Sequence, residues 1–119
     1  MAKTKIPDAL SRRLLLEGEL EAEKALAVAE AYLAENREVE AVDFLAAAKP
    51  ASNDRAREAL TALREAALER GDVFLMRRVV GVLDEEPASE IWQALAEAAT
   101  RAGRLQDAET AERLATVGD

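Results

Sequence analysis

The chain has no cysteine and no histidine in its 119 residues. That removes disulfides, thiol nucleophiles, imidazole bases and the usual zinc and haem ligands together. Carboxylates alone remain to hold a metal, and no Asp-rich loop of the D-x-[DN]-x-[DN]-G kind organises them. Aromatic residues are scarce: Tyr32, Phe44, Phe74 and Trp92 are the whole set. β-branched runs are nearly absent, so a sheet has little to be built from. There is no long hydrophobic stretch near the start, where Leu14-Leu15-Leu16 meets Glu17 at once. A signal-peptide core or membrane span needs more. Positive charge is in deficit, with 16 Lys and Arg against 24 Asp and Glu for a formal charge of −8. An acidic chain with few stacking rings is a poor partner for nucleic acid or an anionic membrane surface. The expectation is a soluble, cytoplasmic protein without cofactors.

What is present is helix-forming. Half of the residues are hydrophobic, many of them alanine, and Ala, Leu, Glu and Arg dominate, all strong helix formers. The length suits one domain able to bury a core without staples. The class read from this is all-α.

Breakers and caps divide the chain into seven helical segments. The first begins near Pro7 with Ile6, Leu10 and Leu14 as an apolar stripe and reaches Gly18. The second covers Glu19 to Glu35, and Asn36-Arg37 is a tight turn before the third, Glu38 to Lys49. Pro50 to Asn53 is a loop in which Asn53 caps a fourth helix ending at Arg70. Gly71 precedes a fifth, Val73 to Asp84. Glu85 to Ala88 is the next loop, after which Ser89 caps a sixth helix to Ala102. Gly103 ends it, and Arg104 to Val117 is the last. Short turns at Asn36, Gly71 and Gly103 thus alternate with longer joints carrying Pro50 and Pro87. That is a series of hairpins, with turn residues 35 and then 32 apart, a period typical of stacked repeats. A turn at Gly18 would add a hairpin and shift the first helices by one.

Aligned on these turns, Trp92 stands eleven residues before Gly103, Leu95 eight before and Ala108 five after. Tyr32 stands four before Asn36, with Ala41 five after and Leu45 as the large apolar residue beyond. The middle hairpin keeps Leu63 and Gly71 but has Met76 where Ala is expected. In these positions the chain resembles the tetratricopeptide repeat family, as three degenerate repeats. The resemblance implies a right-handed α-solenoid over 1–119, with an N-terminal helix at 1–18 and hairpins at 22–50, 57–86 and 89–117. Trp92 is then a packing residue within its hairpin, not a ligand anchor.

Two further features follow from the helical pattern. The segment "VFLMRRVVGVL" is apolar nearly all round, as expected of a helix covered on several sides, with the heads of Arg77 and Arg78 reaching water. The last helix should bury Leu105, Ala108, Ala111 and Leu114 and turn Arg104, Asp107, Thr110 and Arg113 outward, ending the stack.

Glutamates recur at fixed offsets. Glu30, Glu65 and Glu97 lie six residues before their turns, and Glu23, Glu58 and Glu90 thirteen before. A separation of seven sets both carboxylates of a helix on one face. The resemblance implies a concave surface formed by the first helix of each hairpin. Leu26, Thr61 and Gln93 would form one further row there, and Leu33, Leu68 and Thr100 another. Such a groove, with Leu33 and Leu68 as apolar contacts, would take a basic or amphipathic protein segment. The plainer reading is a solvated face, with Glu97 pairing with Arg101. No phosphate loop, nucleophile elbow or convergent acid pair suggests an enzyme. The alternatives to a binding module are a homo-oligomer paired through Phe74 to Leu83 and an array with no partner at all.

Overall fold

The computed structural model describes residues 22–117, the side chain of Val117 apart, so the segment around Pro7 and Gly18 lies outside the described residues. Those described are all-helical. Six helices follow one another: α1 (Ala22–Ala34), α2 (Glu38–Ala47), α3 (Asp54–Arg70), α4 (Val73–Leu83), α5 (Ser89–Arg101) and α6 (Leu105–Val117). They belong to two compact units, Met1–Leu60 and Thr61–Asp119, whose boundary falls inside α3. In the first unit α1 pairs with α2; in the second α5 pairs with α6, which also touches α4.

The three tight turns are built alike. Asn36, Gly71 and Gly103 all have left-handed backbone, with φ of 60°, 70° and 76°. After each, the next amide N–H returns to a carbonyl five residues back: Arg37 to Tyr32 at 2.9 Å, Asp72 to Ala67 at 2.9 Å and Arg104 to Ala99 at 2.8 Å. The turn residue itself donates three residues back, to Leu33, Leu68 and Thr100 respectively. This pair of bonds is the Schellman closure, which satisfies carbonyls that a helix end leaves without partners. The residue after each turn then accepts the first bond of the following helix, from Ala41, Met76 and Ala108. One residue therefore serves both helices, and the turn has no slack.

Burial repeats with the same register. Eleven residues before the turn stand Ala25, Leu60 and Trp92; eight before, Val28, Leu63 and Leu95; four before, Tyr32, Ala67 and Ala99. Five after stand Ala41, Met76 and Ala108, and eight after, Phe44, Val79 and Ala111. All fifteen are buried. The spacings of three and four keep one stripe of each helix inward. In the first unit the stripe brings Tyr32 and Phe44 together, with ring centroids 5.5 Å apart and planes 24° from parallel. The Arg37 guanidinium lies 4.9 Å from the centre of the Tyr32 ring, a cation–π contact within the turn. Trp92, only 7% exposed, packs as a core residue.

Capping follows the sequence in part. Asn53 accepts from the Ala56 amide at 3.2 Å and caps α3. Asp72, a favoured cap residue directly after the Gly71 turn, caps α4 by accepting from Leu75 at 3.1 Å. Replacing Asp72 by Ala should cost about 1 kcal/mol, read as a lowered urea midpoint, while Asn should retain most of the bond. Ser89 is not a cap. It is the first helical residue of α5, and extended Ala88 takes the cap position without a side-chain bond.

Two expected packing faces need correction. In α4, Val73, Leu75, Met76, Val79 and Val80 are buried, but Phe74 is 61% exposed and Arg77 and Gly81 are exposed too. The helix therefore has an outer stripe at spacings of three and four and is not covered all round. In α6 the inward stripe is Ala108, Ala111 and Ala115; Leu105 is 68% exposed and Leu114 only half-buried. At 3.6 residues per turn, the step of four from Ala111 reaches Ala115, and the stripe passes Leu114 by.

Candidate functional site

The six glutamates singled out by their offsets, Glu23, Glu30, Glu58, Glu65, Glu90 and Glu97, are all exposed. Their regularity is a consequence of the turns. With four, eight and eleven residues before each turn facing inward, six and thirteen before fall on the opposite side of the helix. The shared face of α1 is directly visible. Arg55 Nη2 donates to Glu30 Oε1 at 2.7 Å, and Arg55 Nη1 is 4.0 Å from Glu23 Oε2. One guanidinium bridges two carboxylates seven residues apart. All three side chains are more than half exposed, so the pair energy is small, but the cation offsets local negative charge.

The neighbouring rows are less uniform. Leu26 is buried, against the expected groove position, because ten residues before the turn borders the inward stripe of α1. Thr61 is half-buried and Gln93 exposed at the same offset. Leu33 and Leu68 are half-buried and Thr100 exposed, with its hydroxyl donating to the Ala96 carbonyl at 2.9 Å.

Glu97 lines a hollow of about 490 Å³ on the α5–α6 pair, with Gln93, Thr100, Arg101 and Glu112. Among the described residues no ion pair joins Glu97 to Arg101, although their spacing favours one. Trp92 edges another hollow, of about 690 Å³, beside Arg77, Val80 and Gly81.

The second unit also holds a cavity of about 550 Å³ that gathers two of the marked residues, Glu65 and Leu68 of α3. Met76 of α4, Pro87 of the following loop and Ile91 of α5 complete an apolar lining with Leu68. Arg64, Glu85 and Glu86 stand with Glu65 as its charged members. Arg64 Nη1 donates to Glu85 Oε1. Among the described residues no side-chain hydrogen bond or ion pair engages Glu65 or Glu86. The loop that supplies Glu85 to Pro87 is set by another left-handed residue, Asp84, at φ 56°. Its amide donates to Gly81, and Glu85 donates to Val80 at 2.9 Å. The sequence ends a helix at Asp84 without marking its left-handed backbone, and Ile91 carries no signal there. It is 37% exposed.

Among the described residues no three acids converge to hold a metal ion, and no helix is long and apolar enough to cross a membrane. Comparison of the chain with family models, curated proteins and solved structures gave no match.

Proposed function

We propose that this chain is a non-catalytic protein-interaction module, a right-handed solenoid of tetratricopeptide-like hairpins that binds a basic or amphipathic segment on an acidic concave face. The observation that carries the reading is the common register of burial and charge. Three turns of one geometry each have inward residues four, eight and eleven positions before them and exposed glutamates six and thirteen before. Stacked repeats would align those glutamates in rows, and aligned carboxylates attract a basic segment and speed its encounter. Arg55 offsets Glu23 and Glu30, so Glu58, Glu65, Glu90 and Glu97 are the more available carboxylates on this reading.

Capture from cell lysate tests it, comparing wild type with the combined change Glu30→Lys, Glu65→Lys and Glu97→Lys. A specific partner should be lost on reversal and at high salt, with helicity by circular dichroism unchanged. Equal capture by both proteins would reduce the glutamates to a solvated face.

Exposed Phe74 favours a second reading, a homo-oligomer paired through the outer stripe of α4. A mass in solution that rises with concentration, and stays monomeric after Phe74→Ser, would establish it. A monomer at every concentration would exclude it.

A further inference from the structure

The cavity bounded by Leu68, Met76, Pro87 and Ile91 combines an apolar floor with an acidic rim. Ile91 is unusual on its helix. It stands partly open to solvent on the turn that also carries buried Trp92 and Leu95. Met76 lies fully buried behind that floor, and its unbranched, polarizable side chain can adjust when a guest presses on it. The volume of about 550 Å³ falls within the roughly 300–1,000 Å³ of pockets that take specific ligands.

Charge restricts the guest. Glu65, Glu85 and Glu86 carry three negative charges against the single positive charge of Arg64, a formal balance of −2. Arg64 is already committed to Glu85. A purely apolar guest would desolvate Glu65 and Glu86 without replacing their hydration, which is costly. An anionic guest would meet the same two carboxylates as repulsion. A second copy of this chain brings a net charge of −8. The complementary occupant has an aliphatic group for the floor and cationic groups for the rim.

We propose that this cavity is the anchoring subsite of the module: it takes one aliphatic side chain, of leucine or methionine size, from a partner peptide whose adjacent arginines or lysines meet Glu65 and Glu86. This rests on the interaction-module reading and names the part of the surface that supplies specificity. The aliphatic anchor is desolvated between Leu68, Pro87 and Ile91, above the buried Met76. The flanking cations remain at the solvent edge, where they contribute to the encounter rate and to discrimination against acidic segments.

The sequence provides its own reporters. The only isoleucines are Ile6 and Ile91, and the only methionines Met1 and Met76. Methyl labelling of Ile and Met in the full chain therefore gives four signals, of which those of Ile91 and Met76 report on the cavity. The probe is a short peptide of alternating leucine and arginine pairs, compared with one in which glutamate replaces arginine. Its affinity is read independently by fluorescence anisotropy of a labelled copy. The Ile91 and Met76 methyls should shift saturably with the leucine–arginine peptide and stay still with the leucine–glutamate peptide. The double change Glu65→Gln and Glu86→Gln should weaken binding about tenfold. Ile91→Ser, at a partly exposed position, should also weaken it, while Glu109→Gln, exposed on α6 and outside the cavity, should leave it within about twofold.

If anisotropy shows binding but Ile91 and Met76 do not respond, the subsite is wrong and the broader reading survives. If the leucine–arginine peptide does not bind, or the leucine–glutamate peptide binds equally well, both fail. If Ile91 and Met76 shift with protein concentration alone, the cavity belongs to a contact between copies and the proposal is overturned.

Discussion

Gly71→Ala should cost about 3–5 kcal/mol and remove much of the cooperative unfolding transition, whereas the same change at Gly103 should cost only ~1–2 kcal/mol. Both glycines are left-handed, with φ of 70° and 76°, so any L side chain is strained at either. Their surroundings differ. A Cβ at Gly71 would lie 2.2 Å from the Ala99 nitrogen, 2.3 Å from the Ala99 Cα and 2.8 Å from the Ala98 carbonyl carbon. These atoms are backbone of α5, and no rotamer change can move them. Relief requires the turn or the whole helix to withdraw, opening space around buried Ala98 and Ala99. At Gly103 an added Cβ meets nothing within 4 Å, so only the φ penalty remains. Gly81 completes the series. It is helical, exposed and also free of neighbours, so alanine there should stabilise by about 0.5–1 kcal/mol through reduced chain entropy. Urea midpoints of the three variants should separate in that order. Equal losses at Gly71 and Gly103 would remove the close approach to α5 from the account.

Phe44→Ala should destabilise by about 3–5 kcal/mol, the range for a large buried aromatic. The ring is fully buried and stacked on Tyr32, which is fully buried as well. Deletion leaves a void beside Tyr32 that a close-packed interior cannot refill without moving backbone. Phe44→Leu should cost markedly less, because most of the volume is kept and only the ring-stacking contribution of about 0.5–1.5 kcal/mol is lost outright. Since the total stability of such a chain is about 5–15 kcal/mol, the alanine variant should show a shifted thermal midpoint and a weakened near-ultraviolet signal. A loss under 1 kcal/mol for Phe44→Ala would mean that the Tyr32–Phe44 contact is not part of the packed core.

Local chemistry made much of the fold legible. Asn36, Gly71 and Gly103 are the residue types that accept a left-handed backbone, and the sequence could locate all three turns from them. Apolar residues spaced by three and four then fixed which offsets would be buried. What failed depended on tertiary distance. Gly71 and Gly103 carry the same sequence signal, yet only Gly71 is buried against a helix more than twenty-five residues away in the chain. Lys49 and Asp84 adopt left-handed backbone at φ 58° and 56° without being glycine or asparagine. Pro50 follows Lys49 and has no N–H to complete a Schellman closure, so α2 ends on the shorter bond from Lys49 to Ala46.

The site was legible only as candidates. Equal spacing marked six glutamates alike, because helix periodicity places them on equivalent faces. The structure distinguishes them by what stands nearby: Arg55 beside Glu23 and Glu30, and the apolar lining beside Glu65. Glu86, Pro87 and Ile91 contribute to that cavity from a loop and a helix start outside the repeating offsets, where periodicity has nothing to say. Leu26 illustrates the converse, a position assigned to the groove by alignment and placed in the core by packing.

The most direct measurement is a titration of the leucine–arginine peptide into wild-type protein across a series of salt concentrations, repeated with Glu65→Lys. The account predicts saturable binding that weakens as salt rises and falls at least tenfold on the reversal. Binding of equal strength at every salt concentration, or unchanged by Glu65→Lys, would contradict recognition by an acidic surface.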